Sequence, residues 1–345
     1  PAPALLFAGL ALLNPPEGLL AAVAAIGLIA SVFAAVHHAE VVAHKVGEPF
    51  GTLVLAVAVT VIEVALILSL MLAGGDDKAG LARDTIFAAV MIVCNGIIGV
   101  CLLAGGVRHG VQRFRLEGAL AGLAVLGPLT VLTLIVPNTT TSTAGPTLSP
   151  VQLVFAGAVS LLLYGSFIFV QTIRHRDYFL PATPDEAQHA PAPPLRAALL
   201  SLALLPVCLV SVVGLAKGLS PTLEAVVVGI GAPRAVVGIL IAALVLLPEG
   251  LAAWRAARLN RLQTSMNLAL GSALATIGLT VPAVVVAAML LNEPLLLGLG
   301  PKESVLLALT LLTCAITLGA GRTTVLQGVV HLSIFAAFLF YAVVP

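Results

Sequence analysis

The feature that most constrains this chain is its succession of long, almost uncharged apolar stretches. Each is close to the roughly 20 residues that an α-helix needs to cross a bilayer. They leave the chain 60% hydrophobic and only 9% charged, whereas a soluble domain has about 25% charged residues. The stretches are continuous and do not alternate, as the strands of a membrane β-barrel would. The sequence therefore predicts an all-α polytopic membrane protein.

One partial and ten full membrane spans are predicted, about eleven transmembrane helices in total. The partial span, residues 3–13, suggests a shortened first helix rather than a signal peptide. Two full spans, 18–46 and 196–231, are too long for a straight crossing and are expected to tilt or bend. The full spans are 18–46, 50–73, 83–106, 116–136, 150–173, 196–231, 233–254, 265–291, 302–319 and 323–344.

Loop charge predicts the orientation of these spans. With the N-terminus in the cytoplasm, eleven of the sixteen Lys and Arg residues lie in cytoplasmic loops, as the positive-inside rule requires. The charge-free loop 137–150 then lies outside the cell, and the polar segment 174–196 lies inside. The eleven residues are Lys45, Arg108, Arg113, Arg115, Arg174, Arg176, Arg196, Arg255, Arg258, Arg261 and Arg322.

The polar segment divides the chain near its middle, with five full spans on each side. An odd number of spans per half means that the halves enter the membrane from opposite sides, as in transporters built from inverted repeats. The predicted organisation is a partial N-terminal helix over 1–17, a five-helix repeat over 18–173, a cytoplasmic linker over 174–195, and a second five-helix repeat over 196–345.

Each half carries two acidic residues inside apolar spans. Glu63 lies in "LAVAVTVIEVALILSLM", and Glu249 lies in "ILIAALVLLPEGLAAW". Glu40 precedes Glu63 by 23 residues, and Glu224 precedes Glu249 by 25 residues. Two acids in each half at nearly equal spacing are what an inverted repeat predicts.

A carboxylate at the centre of a membrane needs a neutralising partner. A charge there costs at least about 2.5 kcal/mol on insertion scales, and no Lys or Arg lies at the depth of Glu63 or Glu249 in these spans. A buried carboxyl group favours its protonated form unless a cation displaces the proton. That competition is the basis of proton–cation antiport, and a protonated Glu hydrogen-bonded across helices is the structural alternative.

Further oxygen donors occur near these acids. Pro248 and Gly250 could free a backbone carbonyl beside Glu249. Asn95 lies in the span that follows Glu63, and a stripe of hydroxyl side chains at i, i+4 and i+8 runs through "MNLALGSALATIGLTVP". Such oxygens suit Ca²⁺ or Na⁺ better than Zn²⁺, with helix packing as the alternative role of each hydroxyl. The stripe consists of Ser272, Thr276 and Thr280.

The histidines and cysteines have simpler interpretations. His37, Glu40 and His44 share one helix face and predict a metal trio or a proton-access path, or else a polar stripe at a helix end. His331, deep in the last span, is interpreted as a packing histidine or a proton relay. The four cysteines lie in apolar runs without CxxC spacing, so they are expected to be free.

Two other functions stay open on the residues alone. A cation channel or an intramembrane enzyme could use the same buried acids, although no GxSxG or HExxH motif is present. The sequence contains no basic cluster with interleaved aromatic residues, so a nucleic-acid partner is not expected. The expected partners are inorganic cations, protons and the lipid bilayer, and a homo-oligomer is left open.

Four segments together resemble the ChaA-type cation/proton antiporters, the bacterial branch of the calcium/cation antiporter superfamily. They are "HHAEVVAHKVGEPFGTLVLAVAVTVIEVALI", "LPEGLAAW", "MNLALGSALATIGLTVP" and "LGAGRTTVLQGVVHL". The resemblance runs from about residue 18 to the C-terminus. It implies an eleven-helix fold with two inverted repeats in the bacterial inner membrane. It also implies a transporter, not an enzyme, that needs no cofactor and extrudes Ca²⁺, Na⁺ or K⁺ in exchange for inward protons.

The resemblance also implies roles for individual residues. Glu63 and Glu249 match the paired glutamates that bind the cation at the family's central site. Partner helices of the family supply amide and hydroxyl oxygens at the positions of Asn95, Ser272 and Thr276. The acids on the family's long gating helices match Glu40 and Glu224, with His37 and His44 as further candidates for the proton path.

The sequence departs from the family pattern in two places. The Gly-Asn pair that precedes each central glutamate is replaced by "TVIE" and "LLPE". Met91 occupies a position that is commonly a ligating serine. Fewer oxygen ligands would lower the preference for Ca²⁺ and leave more room for Na⁺ or K⁺.

Overall fold

The computed structural model describes residues 8–9, 16–47, 50–72, 79–180, 193–229, 231–233, 235–291 and 295–344. Within these ranges ten long helices match the ten predicted full spans, with ends that differ by a few residues. Apart from residues 8–9, the predicted partial span, 3–13, lies outside the described residues, as does most of the predicted linker. The helices are α1 (Gly18–Val46), α2 (Phe50–Leu72), α3 (Leu81–His109), α4 (Leu116–Asn138), α5 (Pro150–Arg174), α6 (Leu195–Gly229), α7 (Ala235–Arg258), α8 (Leu262–Leu291), α9 (Pro301–Leu318) and α10 (Val325–Val343).

Length and hydropathy identify these helices as membrane spans. Nine of them are long and apolar enough to cross a bilayer, counting only the described residues. The tenth, α2, has 23 residues and a single charged side chain, that of Glu63. The prediction of an all-α polytopic membrane protein is confirmed.

Three of the helices contain a π turn within the described part of the chain. α3 has one at Ile92–Ile97, near its middle. α4 passes into a π turn at Val131–Ile135, shortly after Pro128, and α5 ends in one at Val170–Arg174. A π turn changes the direction in which nearby side chains point, and π turns are frequent at functional sites.

The arginine-rich loops gather on one face of the bundle, called the linker face because the segment between α5 and α6 begins there. On this face β1 (Gln112–Arg113) pairs antiparallel with β2 (Arg322–Thr323) and joins the α3–α4 loop to the α9–α10 loop. The Gln112 side chain donates to the carbonyl of Ala257 at 3.1 Å and so holds the end of α7 in the same layer. The opposite face, called the far face, includes the α4–α5 loop.

The two longest helices form a unit of their own. α1 and α6 pack along each other and share one hydrophobic cluster with one side of α2 and α7. A second and larger cluster joins α3, α4, α5, α8, α9 and α10 to the other side of α2 and α7. The boundary between the clusters therefore runs through α2 and α7, the two helices that carry Glu63 and Glu249.

Hydrogen bonds hold the α1–α6 pair at both ends. On the linker face His38 Nδ1 lies 3.1 Å from the hydroxyl of Ser201. On the far face the Thr222 hydroxyl donates to the carbonyl of Pro16 at 2.8 Å. The first bond joins the late part of α1 to the beginning of α6, and the second joins the late part of α6 to the residue two positions before α1.

Contacts between the halves come in matched pairs. α3 packs on α10 as α8 packs on α5, and α3 packs on α7 as α8 packs on α2. In the first pair of contacts a glycine allows close approach: a Cβ added at Gly328 would lie 2.5 Å from Leu103 N, and one at Gly278 would lie 2.5 Å from Tyr164 Cβ. This is the packing that two five-helix repeats would give, although the proposed bounds, 18–173 and 196–345, stay predictions.

Candidate cation site

Glu63 lies near the middle of α2 and is buried, with 2% of the residue exposed. Its carboxyl group faces α8, where the Thr280 hydroxyl donates to Glu63 Oε2 at 3.2 Å. The Thr276 side chain, one turn earlier on α8, is also within hydrogen-bonding reach. Since both hydroxyls already belong to one face of α8, the sequence positions two neutral partners against this acid.

Glu249 lies near the middle of α7 and has different surroundings. Its side chain is within hydrogen-bonding reach of Ser272 on α8 and within electrostatic range of Glu63 and Glu40. Glu249 Oε2 is buried but has no hydrogen-bond partner among the described residues. A buried acceptor without a partner is costly, so this oxygen is the one most ready to take a cation or a proton.

An open cleft of about 90 Å³ leads to Glu249. It is lined by α2, α5, α7 and α8, and its polar lining includes Thr60, Ser272 and Thr276 beside the acid. Gln171 and Asn267, which are close to the linker-face ends of α5 and α8, also line it. Because these two residues lie toward that end, the cleft connects Glu249 to the linker face.

A second cleft, of about 310 Å³, lies on the far face. Its charged side chains form ion pairs with their sequence neighbours: Arg83 with Asp84 at 2.7 Å, and Lys302 with Glu303 at 3.4 Å. Neither central glutamate lines this cleft. The described structure thus gives Glu249 access from one face of the bundle.

The described part of the fold does not provide the neutralising group that the sequence lacks. The ion pairs between described side chains lie on the far face, and none of them includes Glu63 or Glu249. α7 continues as a helix through Pro248, which has no N–H to donate to the carbonyl of Leu244. Carboxylate and hydroxyl oxygens therefore meet here without a cationic side chain among the described residues, and such oxygens are the ligands that Na⁺, K⁺ and Ca²⁺ prefer.

The structure brings some of the predicted site residues together and separates others. Ser272 and Thr276 lie beside the two central glutamates, as expected from the stripe on α8. The amide of Asn95, in contrast, hydrogen bonds to Thr310 and His331 on α9 and α10. No described hydrogen bond of Asn95 reaches either glutamate.

The predicted gating residues lie at opposite ends of the α1–α6 pair. Glu40 is exposed near the linker-face end of α1, with His37 and His44 exposed on the same helix. Glu224 is half-buried near the far-face end of α6, where the Ser220 hydroxyl donates to its Oε1 at 3.0 Å. Glu40 interacts electrostatically with Glu249.

Two residues of the cleft were not anticipated. Gln171 and Asn267 have no acidic neighbour and no motif that distinguishes them from other polar residues near a helix end. Asn267 could have been found only as the polar residue five positions before the Ser272 stripe begins. Its amide donates to the carbonyl of Phe179 at 2.6 Å, which ties the start of the linker segment to the cleft.

Comparison with known proteins identifies the family. The family model described as "Sodium/calcium exchanger protein" matches residues 18–173 and 200–344. A putative ionic transporter, y4hA of Sinorhizobium fredii, is 52% identical over 322 residues, covering 92% of this chain and 87% of that protein. The sodium-potassium/proton antiporter ChaA of Escherichia coli is 38% identical over 320 residues, covering 92% and 86%.

Solved structures share the fold. Native YfkE superposes with a TM-score of 0.78 at 16% identity and covers 100% of this chain and 98% of its own. The H⁺/Ca²⁺ exchanger CAX superposes with a TM-score of 0.70 at 14% identity, covering 93% and 80%. The relatives are transporters rather than enzymes, and the resemblance to the calcium/cation antiporters is confirmed. This multi-span membrane protein belongs to the sodium/calcium exchanger family.

Proposed function

We propose that this protein is a cation–proton antiporter that expels Na⁺ or K⁺ from the cytoplasm in exchange for external protons. The observation that carries the proposal is Glu249 Oε2, which is buried beside Glu63 without a hydrogen-bond partner, next to a cleft that opens on one face. The name of the Escherichia coli relative, a sodium-potassium/proton antiporter, supports the choice of monovalent ions. The arginine-rich linker face is assigned to the cytoplasm by the positive-inside rule.

The site favours a monovalent ion over Ca²⁺ by the number of oxygens it offers. Ca²⁺ takes six to eight oxygen ligands in proteins. Among the described contacts, the α3 side chains that could have faced the acids face α9 instead. Asn95 and the Met91 sulfur both interact with Thr310. Most side-chain oxygens near the acids therefore come from α8, and Ca²⁺ becomes the second candidate substrate.

The proposed exchange begins with the cleft open to the cytoplasm. A cation enters past Gln171 and Asn267 and displaces a proton from Glu249. The unpartnered oxygen of Glu249 is the first ligand that the cation meets. Glu63, held by Thr280, completes the site from α2. Two bare carboxylates in an apolar interior are strongly disfavoured, so the pair must hold a cation or a proton before the protein changes state. This requirement couples the two fluxes.

The change of state is assigned to the α1–α6 pair. Its hydrophobic cluster is separate from the larger one and meets it along α2 and α7. A movement of α1 and α6 against those helices would close the linker-face cleft and open the far face, while the acids stay on the larger body. The cation then leaves outward, and external protons reload the carboxyl groups.

The first test is proton movement in vesicles that contain the purified protein. An inward-acid gradient is set, and Na⁺, K⁺ and Ca²⁺ are added in turn. We expect Na⁺ or K⁺ to trigger proton movement that Glu249→Gln and Glu63→Gln both abolish while the protein remains inserted. Glu117→Gln, at an exposed first-turn position of α4, is the matched control and should keep wild-type rates.

Three results would contradict the proposal. Normal exchange in either central variant would remove the paired-acid site. Cation flux without proton movement, and without saturation, would indicate a channel. A response to Ca²⁺ alone would replace the proposed substrate while keeping the exchange.

A further inference from the structure

A second buried polar cluster lies where α3, α9 and α10 meet. Its four side chains are those of Asn95, Thr310, Thr317 and His331, and each of these residues is at most 3% exposed. His331 Nδ1 lies 3.2 Å from Asn95 Oδ1, and His331 Nε2 lies 3.1 Å from the Thr317 hydroxyl. On the other side of the amide, Asn95 Nδ2 donates to the Thr310 hydroxyl at 2.8 Å. A cluster this deep in the membrane would be costly if any member lacked a partner.

These contacts fit one order of hydrogen bonds. The Thr310 hydroxyl donates to the carbonyl of Leu306 at 2.7 Å, so its oxygen accepts from the Asn95 amide. The Asn95 carbonyl oxygen then accepts from Nδ1–H of His331, and the Thr317 hydroxyl donates to Nε2; the backbone of Cys94 is also within hydrogen-bonding reach of the ring. The tautomer is assigned from this network. In it the imidazole is neutral, and each of these side-chain polar atoms has a partner.

The cluster is connected to the cation site through the π turn of α3. Asn95 lies inside that turn, and so does Ile97. A Cβ added at Gly250, the residue after Glu249, would lie 3.1 Å from Ile97 Cδ1. A Cβ added at Gly96 would lie 3.3 Å from the ring of Phe335, one helical turn after His331. The π turn is thus held between α10 on one side and the Glu249 region of α7 on the other.

We propose that His331 is a positioning residue for the cation site. It holds Asn95, and with it the π turn, against α7, and Ile97 then fixes the backbone that carries Glu249. The role requires a neutral imidazole that bridges two partners and involves no proton transfer. The inference rests on the proposed exchange, because it assigns His331 to the geometry of that site. Partners behind a ligand commonly set its orientation in this way.

The test measures the cation KM, the maximal rate and the pH profile of exchange in vesicles. His331→Leu removes both ring nitrogens, and we expect the KM for Na⁺ or K⁺ to rise about tenfold, the usual effect of losing such a partner. The pH profile should keep its shape. His331→Asn places an amide donor where Nδ1–H was and should restore most of the affinity.

Two further variants separate positioning from general damage. Asn95→Leu should raise the KM as much as His331→Leu, and the double variant should be little worse than either, because both break the bond between His331 and Asn95 that holds the π turn. Ser333→Ala is the control on α10, since its exposed hydroxyl donates to Val329 of the same helix. It should behave as wild type in every measurement.

Each other outcome would overturn the positioning role. A KM unchanged in both His331→Leu and Asn95→Leu, in an active protein, shows that the cluster does not act on the site. A shifted pH profile in both His331→Leu and His331→Asn assigns proton transfer to His331 instead. If His331→Leu fails to insert, Thr317→Val replaces it, and His331→Asn remains the variant that should keep most of the affinity. A fall in maximal rate as large as the fall in cation affinity would mean a packing role. Absence of cation-dependent proton movement in the wild type would instead overturn the proposed exchange.

Discussion

Glu63 and Glu249 occupy corresponding helices of the two halves, yet their surroundings differ. Glu63 is buried and accepts a hydrogen bond from Thr280, with Thr276 in reach. Glu249 is half-buried, lines the cleft, and keeps one oxygen without a partner among the described residues. Two acids that look equivalent in the sequence are therefore unequal in the fold.

This inequality suggests a division of labour. A carboxyl group that is held by neighbouring hydroxyls has a fixed orientation and serves as a preformed half of a site. A carboxyl group that borders an aqueous cleft exchanges its ligand with the medium. In an exchanger with related halves, these roles would reverse when the opposite face opens. Glu63 on α2 would then border the open cleft, and Glu249 on α7 would be the enclosed acid.

The strongest expected contrast concerns access. Ser272 lies in the linker-face cleft, whereas Ile239 lines the cleft on the far face. In the state described, Ser272→Cys should react with a small charged thiol reagent applied to the linker face, and Ile239→Cys only with reagent on the far face. The four native cysteines are buried, so wild-type protein provides the unlabelled background. Labelling of Ser272→Cys from both faces would contradict a one-sided cleft.

The next contrast concerns the hydroxyl partners of the two acids. Thr280→Val keeps the side-chain volume but removes the donor to Glu63, and we expect the cation KM to rise about tenfold. Ser272→Ala should raise it only about threefold, because water in the cleft can replace a hydroxyl beside Glu249. Transport kinetics of the two variants, measured at equal protein density, check the order. A larger effect at Ser272 would reverse the assigned roles of the acids.

Much of this arrangement could be predicted from the sequence. The apolar runs identify ten helices, because only a helix pairs its own backbone groups in a membrane. Glu63 and Glu249 are conspicuous since a charge is so costly there. The stripe on α8 follows from helical periodicity, and the structure places Ser272 and Thr276 beside the acids.

The sequence did not reveal what depends on packing between distant segments. The amide of Asn95 turns toward α9 and α10, and it lies in a π turn that no motif announces. Extrapolation along a regular helix cannot anticipate such a change in side-chain direction. Nor could two equally apolar runs indicate which glutamate borders the cleft, because that depends on how α5 and α8 meet.

The smallest expected contrast concerns the two bonds that hold α1 to α6. Ser201→Ala removes the partner of His38 on the linker face, and Thr222→Ala removes the donor to Pro16 on the far face. A hydrogen bond of this kind contributes about 0.5 kcal/mol at the low end of its range, so each change should shift the population of open states about twofold. Both bonds are present in the described state, whose cleft opens on the linker face, so losing either one should lower the population of that state. Ser201→Ala and Thr222→Ala should each slow labelling of Ser272→Cys from the linker face.

Ser211→Ala is the matched control, because the Ser211 hydroxyl donates to Val207 within α6 and joins no second helix. Its labelling rate should equal that of the parent. Unchanged or faster labelling in both Ser201→Ala and Thr222→Ala would mean that the bonds do not favour the described state over the other. Slower labelling in both would connect the movement of α1 and α6 to the one-sided exposure of Glu249, since those variants touch no residue of the cleft.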